Sequence, residues 1–276
     1  MTGGGIVALG AVAGATIVLG LPVARWRGLS APIRALLNAI AVGVLLFLFW
    51  DILTHAAAPV ESALTAAQGG GSWLRFGWLA LLMAAGATAG LVPLGYYDRW
   101  MKRRGRPFGP GAMAVGETAT GMFHEPVYRL SLLIAIGIGL HNFSEGLAIG
   151  QSAAAGELAL AVLLVIGFAL HNATEGFGIT APFAAGGVRP SWATLGVLGL
   201  IGGGPTFVGT IIGQSYSSDA VSILFLALAA GSILFVVVEL VGIGLKLGHK
   251  TLLYWGLVVG LVAGFATDFV ITAAGV

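Results

Sequence analysis

Two stretches of the sequence carry the same set of side chains that bind metals. Residues 133–150, LIAIGIGLHNFSEGLAIG, align without gaps on residues 163–180, LLVIGFALHNATEGFGIT, and nine of the 18 positions are identical. The shared core is His-Asn-x-(Ser/Thr)-Glu-Gly, with His141, Asn142 and Glu145 in the first copy and His171, Asn172 and Glu175 in the second. On a helix, a His and a Glu four residues apart lie on one face, and the Asn three residues before the Glu lies beside them. Each copy therefore gathers its three polar side chains into one cluster. Two imidazoles, two carboxylates and two amide oxygens form a donor set for a divalent transition metal such as Zn, Fe, Mn, Co or Ni. Helix bundles that pair a carboxylate with a His one turn away on facing helices are a recurrent form of such sites. No cysteine is present, so thiolate metal sites and iron–sulfur clusters are excluded.

The elements that must hold these residues lie in lipid. Of 276 residues, 58% are apolar and 9% charged, with a mean hydropathy of +0.98, whereas a soluble domain carries about 25% charged residues. So few charges cannot cover a globular surface in water. Disorder, nucleic-acid binding and a secreted disulfide scaffold are excluded as well. The 45 glycines suit helices packed backbone to backbone in a membrane.

A membrane span needs about 20 mostly apolar residues. Eight stretches qualify: about 5–24, 33–57, 73–96, 130–152, 157–181, 191–213, 219–243 and 252–274. The expected fold is an all-α polytopic bundle, one transmembrane domain covering residues 1–276. Twelve of the 13 Lys and Arg residues follow odd-numbered spans, and Arg75 alone lies on the other side. By the positive-inside rule those loops face the cytoplasm and both termini are extracytoplasmic. The first span has no basic residues before it, so it reads as a retained span rather than a cleaved signal. Segment 97–129, rich in Arg and Lys, is expected to be a cytoplasmic loop that sets topology and binds lipid headgroups. The stretch from Pro59 to Ser72 reads as a flexible external linker.

Five acidic residues fall inside the spans: Asp51, Glu145, Glu175, Glu239 and Asp268. His141 and His171 lie near span centres, and no Lys or Arg is expected at comparable depth. A carboxylate at a helix centre costs roughly 2.5–3.5 kcal/mol on insertion scales. These groups must be protonated, hydrated in a cavity, or neutralised by a bound cation. Asp51 and His55 in the outer part of span 2, Asp268 in the outer half of span 8 and Glu239 in the inner third of span 7 read as a relay into and out of the site.

At the paired motif the chain resembles the ZIP (Zrt/Irt-like) family of divalent metal transporters. The family pattern His-Asn-x-Pro-Glu-Gly maps onto His141 to Gly146 and onto His171 to Gly176. The resemblance implies eight spans with both termini outside, and His141, Asn142, Glu145, His171, Asn172 and Glu175 as ligands of the cargo ion. It further implies a multi-pass protein of the cytoplasmic (cell inner) membrane that takes up a divalent metal, zinc first, with Fe²⁺, Mn²⁺ and Co²⁺ also admissible. Neither enzymatic activity nor a resident cofactor is implied, and a homodimer is compatible with this reading. A rigid-body, elevator-like movement of a helix group containing spans 4 and 5 is implied as well.

Three departures from the family are visible. Ser144 and Thr174 replace the family prolines, so any kink there must come from hydroxyl back-bonding or neighbouring glycines. Span 6 shows Gly202-Gly203-Gly204-Pro205 where relatives often place a glutamate, which favours one central metal over two. The 97–129 loop holds a single histidine, His124, which argues against metal sensing by that loop. Two other functions share parts of this pattern. A proton-coupled permease for an organic solute would use the His/Glu pairs as proton carriers. An intramembrane metallohydrolase would need a general base and an open coordination position, but the His-Glu-x-x-His motif and a suitably placed serine are both missing.

Overall fold

The computed structural model describes residues 3–26, 28–104, 125–156, 158–215 and 218–273. Among these residues there are eight α-helices and no strands, and all eight helical segments are long and apolar enough to cross a membrane. In chain order they are α1 (Gly3–Ala15), α2 (Ala31–Gln68), α3 (Trp73–Arg104), α4 (Pro126–Ala154), α5 (Leu158–Gly186), α6 (Trp192–Gly213), α7 (Asp219–Lys246) and α8 (Lys250–Ala273). The α-helical part of the first segment is short, and the segment continues through two tight 3₁₀ turns, Thr16–Leu19 and Leu21–Arg25. His124 and the loop residues from 105 onward lie outside the described residues, as do Arg27 and Glu157.

Local sequence accounts for most helix ends. Ser191 caps α6 by accepting the backbone N–H of Thr194 at 3.0 Å, which satisfies one of the free donors of the first turn. Past the ends of α4 and α5, Gly156 and Gly187 take positive φ (86° and 66°), a conformation that costs glycine little. The short turn between these two helices makes them antiparallel neighbours, so the motif of each lies near the middle of its helix.

The helices pack as two groups, α1/α4/α5/α6 and α2/α3/α7/α8. Glycines make the seams inside each group. A Cβ on Gly203 would collide with the carbonyl of Gly14, one on Gly146 with that of Thr206, and one on Gly209 with that of Phe143, all within the first group. In the second group Gly90 lies against the carbonyl of Leu228 and Gly260 against that of Ile40. Between the groups the contacts are of another kind. Gly137 of α4 meets a methyl of Val236 of α7, and Gly178 of α5 meets a methyl of Leu240. Backbone seams thus lock each group internally, while the nearest atoms across the boundary at Gly137 and Gly178 are side-chain methyls. A shared core of Leu45, Ile134, Ile138, Ile179, Phe183, Ile233 and Leu240 fills the space between them. All seven tryptophans are exposed on the bundle's surface, from 46% for Trp100 to 68% for Trp26.

Helix α3 continues to Arg104, past the apolar stretch that ended at residue 96. A helix can outrun the bilayer because its hydrogen bonds close internally, so hydropathy marks the oil boundary and not the helix end.

Candidate metal centre

Helices α4 and α5 bring the two motifs face to face. His141 is 1% exposed, Glu145 4%, His171 8%, and Asn142, Asn172 and Glu175 are fully buried. One oxygen of Glu145 lies between the two imidazoles, 2.5 Å from His171 Nε2 and 3.1 Å from His141 Nε2. Glu175 Oε1 stands 3.6 Å from His141 Nε2, and the ring centroids of the two histidines are 6.3 Å apart. The ligand atoms of His141, Glu145 and His171 all lie within 4.8 Å of one another, a cluster that a single cation could bridge.

The two asparagines are tethered differently. Asn142 Nδ2 donates to Glu175 Oε2 (3.2 Å) and to the carbonyl of Gly202 (3.0 Å) on α6. Asn172 Nδ2 turns instead to the first segment and donates to the carbonyl of Ala13 at 3.0 Å. Thr16 Oγ1 donates to the same carbonyl at 2.6 Å. Ala13 lies where α1 gives way to the 3₁₀ turns, and that change of pitch leaves its carbonyl free for side-chain donors. The anchoring roles of Ala13, Thr16 and Gly202 have no signature in the motif itself. A β-branched run, Thr16-Ile17-Val18, is the one local hint of a strained helix there.

With their amide nitrogens anchored, both asparagines leave Oδ1 without a hydrogen-bond partner. His141 Nδ1, Glu145 Oε2 and Glu175 Oε1 are buried without a partner as well. Buried polar atoms are almost always satisfied, and leaving one unsatisfied costs roughly 1–3 kcal/mol or more. The four oxygens among these atoms suit a cation. The family prolines are replaced as the sequence suggested. Ser144 Oγ donates to the carbonyl of His141 and Thr174 Oγ1 to that of His171, each at 2.7 Å. These matched bonds hold each hydroxyl against its own helix at the same place in the two motifs.

Beyond the centre, Asp51 stands 3.4 Å from His55 and lies within electrostatic range of His141, His171 and Asp268. These residues lie on the side of the centre away from the basic loops. Glu239 departs from the sequence reading, because it does have a cationic neighbour. Lys102 Nζ sits 2.5 Å from Asp98 and 3.9 Å from Glu239. Hydropathy closes span 3 at residue 96 and leaves Lys102 in a loop, whereas the continuous helix α3 carries it back to the bundle. Asp98, Lys102 and Glu239 line a cavity of about 520 Å³ at the end of the bundle that bears the basic loops. Span 6 offers no carboxylate, and two of its three consecutive glycines leave no room for any side chain, whereas a Cβ on Gly204 would meet only the Leu200 side chain. A Cβ on Gly202 would meet Ile17 and Ile179, and one on Gly203 would meet the Gly14 backbone.

A family model described as ZIP Zinc transporter matches residues 116–272, more than half of the chain and the whole of the paired motif. No curated protein matches it.

Proposed function

Because this chain belongs to the ZIP zinc transporter family, whose members move divalent metal ions, we propose that it takes up Zn²⁺ through the His141/Glu145/His171/Glu175 centre. Four buried, unpartnered oxygen atoms on the paired motif carry this reading. A divalent ion there would accept lone pairs from two imidazoles and two carboxylates. The carboxylate charge would offset the cost of stripping the ion's water. The absence of cysteine argues against Cu⁺, which favours soft sulfur ligands. Asn142 and Asn172, anchored through their nitrogens, offer their oxygens as further ligands. With no carboxylate on α6, one central ion is the expected occupancy.

The distribution of basic residues supports an orientation with the basic loops in the cytoplasm, in the cytoplasmic membrane. Asp51, His55 and Asp268 then form the outer approach, and the cavity at Asp98, Lys102 and Glu239 the inner exit. The glycine seams support movement of α1/α4/α5/α6 as one body against α2/α3/α7/α8, because each group is locked internally by backbone contacts closer than those between the groups. Reconstituted vesicles test the site. Glu145→Gln keeps the shape but removes a charge, and Zn²⁺ uptake at limiting concentration should fall at least tenfold. Uptake equal to wild type would remove Glu145 from the mechanism. Competition by Fe²⁺, Mn²⁺ and Co²⁺ in the same assay ranks the cargo.

A further inference from the structure

If the two helix groups are the moving and fixed bodies of the proposed transporter, they must part at the basic end to release a buried ion. We propose that Arg34 and Arg129 form a reciprocal latch that holds the groups together at that end. Arg34, in the first turn of α2, donates through Nη1 to the carbonyl of Ala184 at 3.1 Å, and its Nε holds the carbonyl of Leu29 at 3.0 Å. Arg129, in the first turn of α4, donates through Nη1 to the carbonyl of Met101 at 3.1 Å.

Ala184 and Met101 lie in the last turns of α5 and α3. The final carbonyls of a helix have no partner within it, and they carry the negative end of its dipole. Each arginine therefore caps a helix of the opposite group. Arg34 of the α2 group caps α5, and Arg129 of the α4 group caps α3. Neither arginine helps its own helix, because a cation in the first turn opposes the dipole. Lys102 ties the end of α3 to α7 through Asp98 and Glu239, so Met101 belongs to a fixed rim. Separating the groups uncaps both helices at once. At the opposite end the polar contacts Arg75–Asp219 and Asp51–His55 each stay inside the α2/α3/α7/α8 group. The latch sits at one end, where it resists opening toward the basic loops.

This inference rests on the two-body reading, and its test needs no metal and no uptake. The chain has no cysteine, so spin labels can be placed at Ala193→Cys on α6 and Leu245→Cys on α7, exposed positions at the basic end of opposite groups. The distance distribution between them is measured by pulsed electron paramagnetic resonance in the labelled wild type and in Arg34→Gln/Arg129→Gln. The glutamines are too short to reach the carbonyls. The long-distance population is expected to rise about tenfold or more, as the loss of charge-assisted hydrogen bonds implies. If the double variant does not fold, the single variants Arg34→Gln and Arg129→Gln carry the same test with smaller shifts. Unchanged distributions in folded variants overturn the latch. A chain that carried no zinc would still show the shift, so failure of the transport reading is told apart from failure of the latch.

Discussion

The chemistry of the centre depends on how single side chains are anchored. Asn172 and Thr16 both hold the carbonyl of Ala13, and Asn142 joins Glu175 to Gly202. Asn142→Leu removes both of its bonds and leaves the Gly202 carbonyl bare. It should lower stability by about 1–3 kcal/mol, read as a drop in Tm, and weaken zinc binding beyond that. Proton competition gives a second expectation at this scale. Imidazoles and carboxylates bind metal only when deprotonated, so zinc affinity should fall as pH drops from neutral to acid. Titration calorimetry in buffers of different ionisation enthalpy reads both the loss and the protons released. The candidate ligand set was legible in the sequence because the motif is doubled and its spacing places His and Glu on one helix face. Which asparagine turns toward which neighbour was not, since Ala13 and Gly202 are distant in sequence and marked by no residue type. The pairing of Lys102 with Glu239 was hidden for another reason. Hydropathy locates the edge of the oil, and α3 continues beyond it.

At the scale of elements, glycine decides which helices act together. Gly203→Ala would drive a methyl into the Gly14 backbone, a contact that cannot relax without moving α1 away from α6. It should destabilise the protein by about 1–3 kcal/mol and disturb the centre through Ala13. Gly137→Ala would press first on a Val236 methyl, with the Ser232 carbonyl farther off at 3.3 Å across the boundary between the groups, so it should cost less stability than Gly203→Ala while uptake slows. Thermal melts and vesicle uptake measured on the two variants side by side should therefore rank them in opposite orders. If both variants lose stability equally, the distinction between seam and boundary fails. The sequence displayed the glycine excess, but its composition could not say which glycines face a backbone and which a side chain.

For the molecule as a whole, bound cargo and stability are linked. An ion that fills the centre in the folded state raises stability by about 2.7 kcal/mol at a hundredfold excess over its Kd. Adding Zn²⁺ to purified protein should raise Tm, chelation should reverse the rise, and His171→Ala should abolish it. An equal rise in His171→Ala would place the metal elsewhere.

Composition and order along the chain determined the membrane setting, the eight helices and the donor set, because those follow from hydropathy, length and spacing within one element. Three-dimensional packing decided the division into two groups, the anchoring of the asparagines, the salt-bridged carboxylates at the basic end and the crossed arginine caps. Each of these depends on which backbone approaches which, and residues far apart in sequence carry no local sign of that proximity.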